Sequence, residues 1–252
     1  MNRREPVLNL SAEHGRLSSL DALRDSCAAR LAGDERMLTM FGRVLADSDQ
    51  VRVTAVLQSA DGSLDVLRAD ARRGQAYASL TADHPAVHLF ERELWEQTGL
   101  QPDGHPWLKP VRYEGERQQQ MDRHPFFSVR GQDVHEVGVG PIHASVIEPG
   151  HFRFMCLGET VQHLEIQLGY QHRGVEALLL ARPPRALTAL IETVAGDSSI
   201  AYAWAYCAAV ESLSGTELPP ASDLVRGVAL ELERIAMHLV GLAGLATDIA
   251  FL

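Results

Sequence analysis

The chain has 252 residues, 46% of them apolar, with 23 Lys+Arg against 33 Asp+Glu. It can therefore bury a sizeable core, and its composition excludes a disordered, collagen-like or coiled-coil chain. The net charge of −10 argues against nucleic-acid binding, which draws its affinity from clustered cations. Residues 1–126 hold 16 basic and 19 acidic groups and residues 127–252 hold 7 and 14, which predicts two regions, the second more deeply buried.

In chain order, Ser18-Ser19 precede an amphipathic stretch, Leu20 to Leu31, which Gly33 stops. Strand-like runs follow at Met37 to Leu45 and Val51 to Leu57, and Asp61-Gly62 turns the chain into Leu64 to Leu67, a hairpin. A second helix is expected from Pro85 to Gln97, with Gly99 as its stop. These elements make an α+β module. From Tyr113 to about Gln132 the sequence turns polar and irregular and reads as a linker. His151 to Leu157, the turn Gly158-Glu159, and alternating Leu164, Ile166 and Leu168 then form a second hairpin. The rest reads as helical: Gly174 to Ala181; a helix begun by Pro184 with Leu187, Leu190, Ile191 and Val194 inward; one capped by Ser198 or Ser199 and closed by Ser214-Gly215; and one begun by Ser222-Asp223. In the last, Leu224, Val228, Leu232, Ile235, Leu239 and Leu242 share one face, beside the polar stripe Glu231, Arg234 and His238.

Three cysteines, Cys27, Cys156 and Cys207, form no CxxC pair, so buried, reduced thiols are expected and no metal site is read from them. MNRREPVLNL lacks a secretory core and no stretch reaches the ~20 apolar residues of a membrane span, which implies a cytoplasmic protein without a direct span. The sequence stops within the apolar run Ile249-Ala250-Phe251-Leu252, so its last helix is expected to need partner surfaces from another subunit or from further chain.

The chemistry-bearing groups concentrate between Gly140 and Glu176. They are Gly140-Pro141-Ile142-His143, then Glu148-Pro149-Gly150-His151-Phe152-Arg153, then His172-Arg173-Gly174-Val175-Glu176. The histidines do not fit a compact metal pattern, and each could instead hydrogen-bond backbone in a turn. Glu176 near a helix start is also what the helix dipole favours.

These three segments resemble the large subunit of membrane-bound nickel-iron hydrogenases of the formate hydrogenlyase type (group 4), and the quinone-site subunit of respiratory complex I. Ala205-Tyr206-Cys207-Ala208-Ala209-Val210-Glu211 and Glu231-Leu232-Glu233-Arg234-Ile235-Ala236-Met237-His238-Leu239 resemble two helical signatures of the same family. Upstream, Glu91-Arg92-Glu93-Leu94-Trp95-Glu96-Gln97-Thr98-Gly99-Leu100 and Gly104-His105-Pro106-Trp107-Leu108 resemble the small peripheral-arm subunit of complex I. The resemblance implies two fused modules: residues 1–125 of the peripheral-arm type, and residues 126–252 as the N-terminal half of a hydrogenase-type large subunit, cut before its C-terminal half. It further implies a cytoplasmic subunit, peripheral on the inner face of the cell membrane, in an oxidoreductase complex that couples electron transfer to proton or ion movement. Its expected neighbours are an iron–sulfur subunit and membrane-arm subunits. No cofactor is expected on the chain itself, although a quinone is possible.

Two departures shape the expected chemistry. Ala195 and Ser198 stand where the family's first cysteine pair would be, so no nickel-iron chemistry is expected in this chain. Pro149 and Gly196 stand where complex I places its quinone-binding histidine and tyrosine. What the resemblance leaves is Glu176 as a candidate proton relay with Asp197 on the cavity wall and His172 nearby, and His143, His151 and Arg153 as candidate cofactor contacts. The alternative is a non-catalytic structural subunit that has lost the metal and quinone ligands.

Overall fold

The computed structural model describes residues 15–114, 121, 123, 125–143, 148–183 and 186–251. By compactness these form two units: residues 15–142 with 149–172, and residue 143, residue 148 and residues 173–251. The strands between 134 and 167 are thus grouped with the N-terminal elements, whereas the sequence motifs change near residue 125.

In the first unit, helix α1 (Leu20–Leu31) starts where the Ser19 hydroxyl accepts the Ala22 N–H at 3.1 Å. It buries Leu20, Leu23 and Cys27, each Leu contributing about 1.5–3 kcal/mol of apolar burial. Burial also pushes the Cys27 thiol up to about 11, against the pull of Arg30. Strands β1 (Arg36–Val44), β2 (Gln50–Gln58) and β3 (Leu64–Arg72) form an antiparallel sheet in that order. Val51, Val53, Ala55 and Leu57, the alternating set seen in the sequence, are all fully buried at its centre. At the β2–β3 turn Asp61 accepts from the Ser63 N–H and hydroxyl, and Gly62 takes a φ of 87°.

Strand β4 (Ala76–Ala78), a 3-10 turn (Pro85–Val87), helix α2 (His88–Thr98) and strand β5 (Gln101–Asp103) follow, with β4 and β5 paired in parallel. Helix α2 lies against β1 at Gly42, where a Cβ would come within 2.6 Å of Leu94 Cδ1 and 2.7 Å of Thr98 Cγ2. Glycine is therefore what lets this helix reach the sheet. Gly99 ends α2 in the left-handed region, as expected from sequence.

The expected second hairpin is a three-stranded antiparallel sheet of β6 (Val134–Val139), β7 (His151–Leu157) and β8 (Thr160–Gln167). Its register aligns Val137, Phe154 and Leu164, and then Val139, Phe152 and Ile166, on one face. Gly138, Arg153 and Glu165 align on the other. The polar face is the buried one: Glu165 and Gln167 are covered, while Val137, Val139 and Leu164 are more than 40% exposed. Of the expected linker, residues 115–120, 122 and 124 lie outside the described residues.

The second unit holds α3 (Val175–Ala181), α4 (Leu187–Ile191), α5 (Ser199–Ser214) and α6 (Pro220–Asp248). Pro184, expected to open α4, lies outside the described residues. Helix α6 starts at Pro220, two residues before the expected Ser222-Asp223, because proline suits a first helical turn, where its missing N–H has no intrahelical partner. Helices α5 and α6 run antiparallel and are fastened at both ends of α5. Arg226 forks onto Glu211 at 2.6 and 3.0 Å, and Glu233 accepts the N–H groups of Ile200 and Ala201 at 2.7 and 3.1 Å.

Neither α5 nor α6 contains a fully buried side chain. The expectation of deeper burial in the charge-poor half is therefore wrong. Its apolar residues form outward stripes rather than a closed core, with Leu224, Leu232 and Leu239 at 71%, 62% and 61% exposure. Cys27 and Cys156 are buried thiols as expected, and Cys207 on α5 is half-buried.

Candidate functional site

Glu91, Arg92, Glu93 and Glu96 of α2 bind backbone or side chains of the segments around them. Glu91, fully buried, accepts from the hydroxyls of Ser79 and Thr81 at 2.6 Å each, and from the N–H groups of Leu80 and Thr81 at 2.9 and 3.0 Å. Arg92 donates to the carbonyls of Lys109 and Pro110 and lies 4.3 Å over the Trp107 ring, whose other neighbour is the stacked imidazole of His88. Glu93 pairs with Arg112. Glu96 gathers the N–H groups of Val111, Arg112, Tyr113 and Glu114 at 2.6 to 3.4 Å. Tyr113 adopts a φ of 55°, a left-handed turn of the kind that lets successive N–H groups converge on one anion. The Glu91–Leu100 signature is thus a set of clamps, Glu91 on the 79–81 segment and Arg92, Glu93 and Glu96 on the 105–114 loop.

That loop carries Lys109, whose ammonium lies 2.8 Å from Glu165 on β8, both side chains at 1% exposure or less. Glu165 also accepts the Phe127 N–H at 2.7 Å. Burial alone would raise the Glu165 carboxyl, but the bonds from Lys109, Phe127 and Trp107 and the Lys109 charge hold it below the ordinary carboxylate range. Burial pushes Lys109 down, against the pull of Glu165. The pair is closed to solvent. Such a pair fixes geometry, and its removal by halves is costly.

Phe126 organises three more groups. Lys109 lies 4.1 Å over one ring and Arg153 4.5 Å from the same centroid, while the His151 imidazole meets it edge-on at 5.6 Å. Two of the candidate contacts, His151 and Arg153, are thus brought together, with Lys109, around one aromatic ring. Arg153 pairs with Glu136, and His151 Nδ1 lies 3.2 Å from the Gly140 carbonyl. His172 bonds Glu114 at 2.6 Å, so it braces the end of the clamped loop.

The remaining candidates belong to the second unit. His143 is half-buried, Glu176 is exposed in the first turn of α3, and Asp197 is exposed in the turn between α4 and α5. Arg173 donates to the carbonyls of Thr193 and Val194.

Among the described residues no group of three or more His, Cys, Asp or Glu side chains stands close enough to hold a metal ion. A methyl group at Ala195 and a hydroxyl at Ser198 supply no thiolate for nickel and iron, so the donor set present does not fit that centre. The quinone positions likewise do not fit: Pro149 has no N–H, and Gly196 has no side chain and open space where a Cβ would stand.

Reasoning from sequence missed Glu91, Glu96, Lys109, Glu165 and Glu233. One signal was available for the first of these. Glu91 shares the stripe of Leu94 and Thr98 at three and seven residues, and a charged group on a buried stripe needs partners.

A family model described as the respiratory-chain NADH dehydrogenase 30 kDa subunit matches residues 13–126. Residues 13–126 belong to that family. The chain is 32% identical to hydrogenase-4 component G of Escherichia coli (strain K12) over 187 residues, 66% of this chain and 34% of that protein. It is 32% identical to formate hydrogenlyase subunit 5 of the same organism over 192 residues, 68% of this chain and 34% of that protein. The C/D-type NADH-quinone oxidoreductase protein of Bdellovibrio bacteriovorus is 25% identical over 257 residues, 92% of this chain and 43% of that protein. The chain spans about a third of the length of the first two relatives.

Proposed function

We propose that the chain is part of a peripheral subunit of an oxidoreductase complex of the formate hydrogenlyase and NADH-quinone oxidoreductase kind, in which electron transfer is coupled to proton or ion movement. The observation that carries this reading is the similarity to the C/D-type protein across 92% of the chain, through the 30 kDa-type domain and the helical unit in that order. In this reading the neighbours are an iron–sulfur subunit and a membrane arm, and the chain sits on the inner face of the membrane. No helix among the described residues is long and apolar enough to cross a membrane, so attachment would run through those neighbours.

Within the complex, Glu176 is the proposed proton relay, with Asp197 on the wall of the cavity that the resemblance implies. Ala195 and Ser198 favour a second reading, in which the chain is a structural subunit without chemistry of its own.

One experiment addresses both. Tagged full-length protein is purified with its complex from solubilised membranes, and turnover is compared between wild type and Glu176→Gln. The relay reading expects iron–sulfur signals in the purified complex and a loss of about 100-fold or more in the variant, the lower range for a positioned acid or base. Normal assembly with full turnover favours the structural reading. Recovery of the chain alone, away from membranes, overturns both.

A further inference from the structure

The turn from 193 to 201 is gripped at both ends by charged side chains that bind only its backbone. At the α4 end, Arg173 donates to the carbonyls of Thr193 and Val194 at 2.5 and 2.9 Å. These carbonyls follow the last turn of α4, where intrahelical partners run out and the helix dipole favours a cation. At the α5 end, Glu233 accepts the N–H groups of Ile200 and Ala201, orphan donors of the first turn, where the dipole favours an anion. A further bond, from the Ser199 hydroxyl to the Glu192 carbonyl at 2.9 Å, closes the same turn. Of the side chains between the grips, those at 195, 196 and 198 add no such bond. Ala195 and Gly196 have no polar side-chain atom, and Ser198, at the cap position of α5, makes no side-chain capping bond. The bonds that shape the inner turn also run through backbone, as from the Ser198 N–H to the Ala195 carbonyl.

We infer that Arg173 and Glu233 are positioning residues that hold the 193–201 turn by its backbone from both ends, so that its course does not depend on the side chains at 195 and 198. Arg173 also stands three residues before Glu176, so the same grip ties the start of α3 to the turn that bears Asp197. In its bearing on Glu176 and Asp197 the inference rests on the relay reading above. The grip itself does not.

Hydrogen exchange of the full-length chain, read by mass spectrometry, tests the grip without turnover, so its failure is separable from failure of the functional reading. Glu233→Ala should speed exchange at 200 and 201 by about tenfold or more, and Arg173→Ala should do the same across 193–199. Glu233→Gln and Arg173→Lys, which keep an acceptor and a cation, should restore part of the protection. Ala195→Ser and Ser198→Ala should leave the turn within about twofold of wild type, and β2 serves as the internal control for an intact fold. Unchanged exchange in 193–201 with Arg173→Ala and Glu233→Ala, β2 remaining protected, would overturn the inference. So would a loss of protection in Ser198→Ala equal to that in Glu233→Ala.

Discussion

The two units use the same kinds of residue to different ends. In the first, apolar side chains of α1, the β1–β3 sheet and α2 close on one another, and the charged groups of α2 turn inward to hold loops. In the second, charged groups such as Glu211, Arg226 and Glu233 hold helices to each other, while the leucines of α6 face out. The first unit closes a hydrophobic core of its own. The second satisfies its polar requirements and leaves much of its apolar surface uncovered, more than single scattered residues would account for.

The sharpest way to break this contrast is at the Lys109–Glu165 pair. Lys109→Ala leaves a carboxylate buried at about 1% exposure with one partner fewer, and should cost about 3–5 kcal/mol in urea unfolding. A cost below 1 kcal/mol would show that the pair is not closed to water. Leu23→Ala in the core should cost about 2–5 kcal/mol by the same measurement, since it removes packed methyl groups from a closed site.

Acid should act on the first unit in two stages. Burial holds His88 and His105 below the ordinary imidazole range, so the folded state binds fewer protons than the unfolded chain as pH falls from about 6.5. Stability should begin to drop there. Asp70, held down by its bond from Arg52, and Glu165 are ionised in the fold, and the stability they contribute is present above about pH 4 and lost as pH falls through their depressed values. Thermal unfolding at pH 7.5, 6 and 4 checks this. A flat profile between 7.5 and 6 would contradict the histidine part.

The smallest effect belongs to α6. Leu232→Ala in the isolated chain should change stability by less than about 0.5 kcal/mol, because its side chain is 62% exposed. A cost near that of Leu23→Ala would mean that α6 is packed as deeply as α1.

What the sequence revealed follows the range of the interactions. Helices α1 and α2, the β2–β3 hairpin and the long final helix rest on local periodicity, capping and turn residues, and all were legible. Strands β4 and β5 were not, because three residues each carry no period and their parallel pairing is set by neighbours. Strand β6 alternates only weakly through His135, Glu136 and Gly138, next to a polar stretch, and was passed over. The inverted sheet confounds pattern reading further, since Glu165 and Gln167 are the buried set there. Of the candidate site, His151 and Arg153 were found and do converge on Phe126, but their partner Lys109 lies more than forty residues upstream, beyond any local signal. Glu176 and Asp197 were selected by resemblance, and in the structure both are exposed.

That the second unit by itself leaves its apolar helices uncovered is tested most directly by hydrogen exchange in the free full-length chain and in the membrane-derived complex. Strand β2 should be strongly protected in both states, whereas α6 should exchange far faster in the free chain and become protected on assembly. Protection of α6 equal to that of β2 in the free chain, or no gain on assembly, would contradict it.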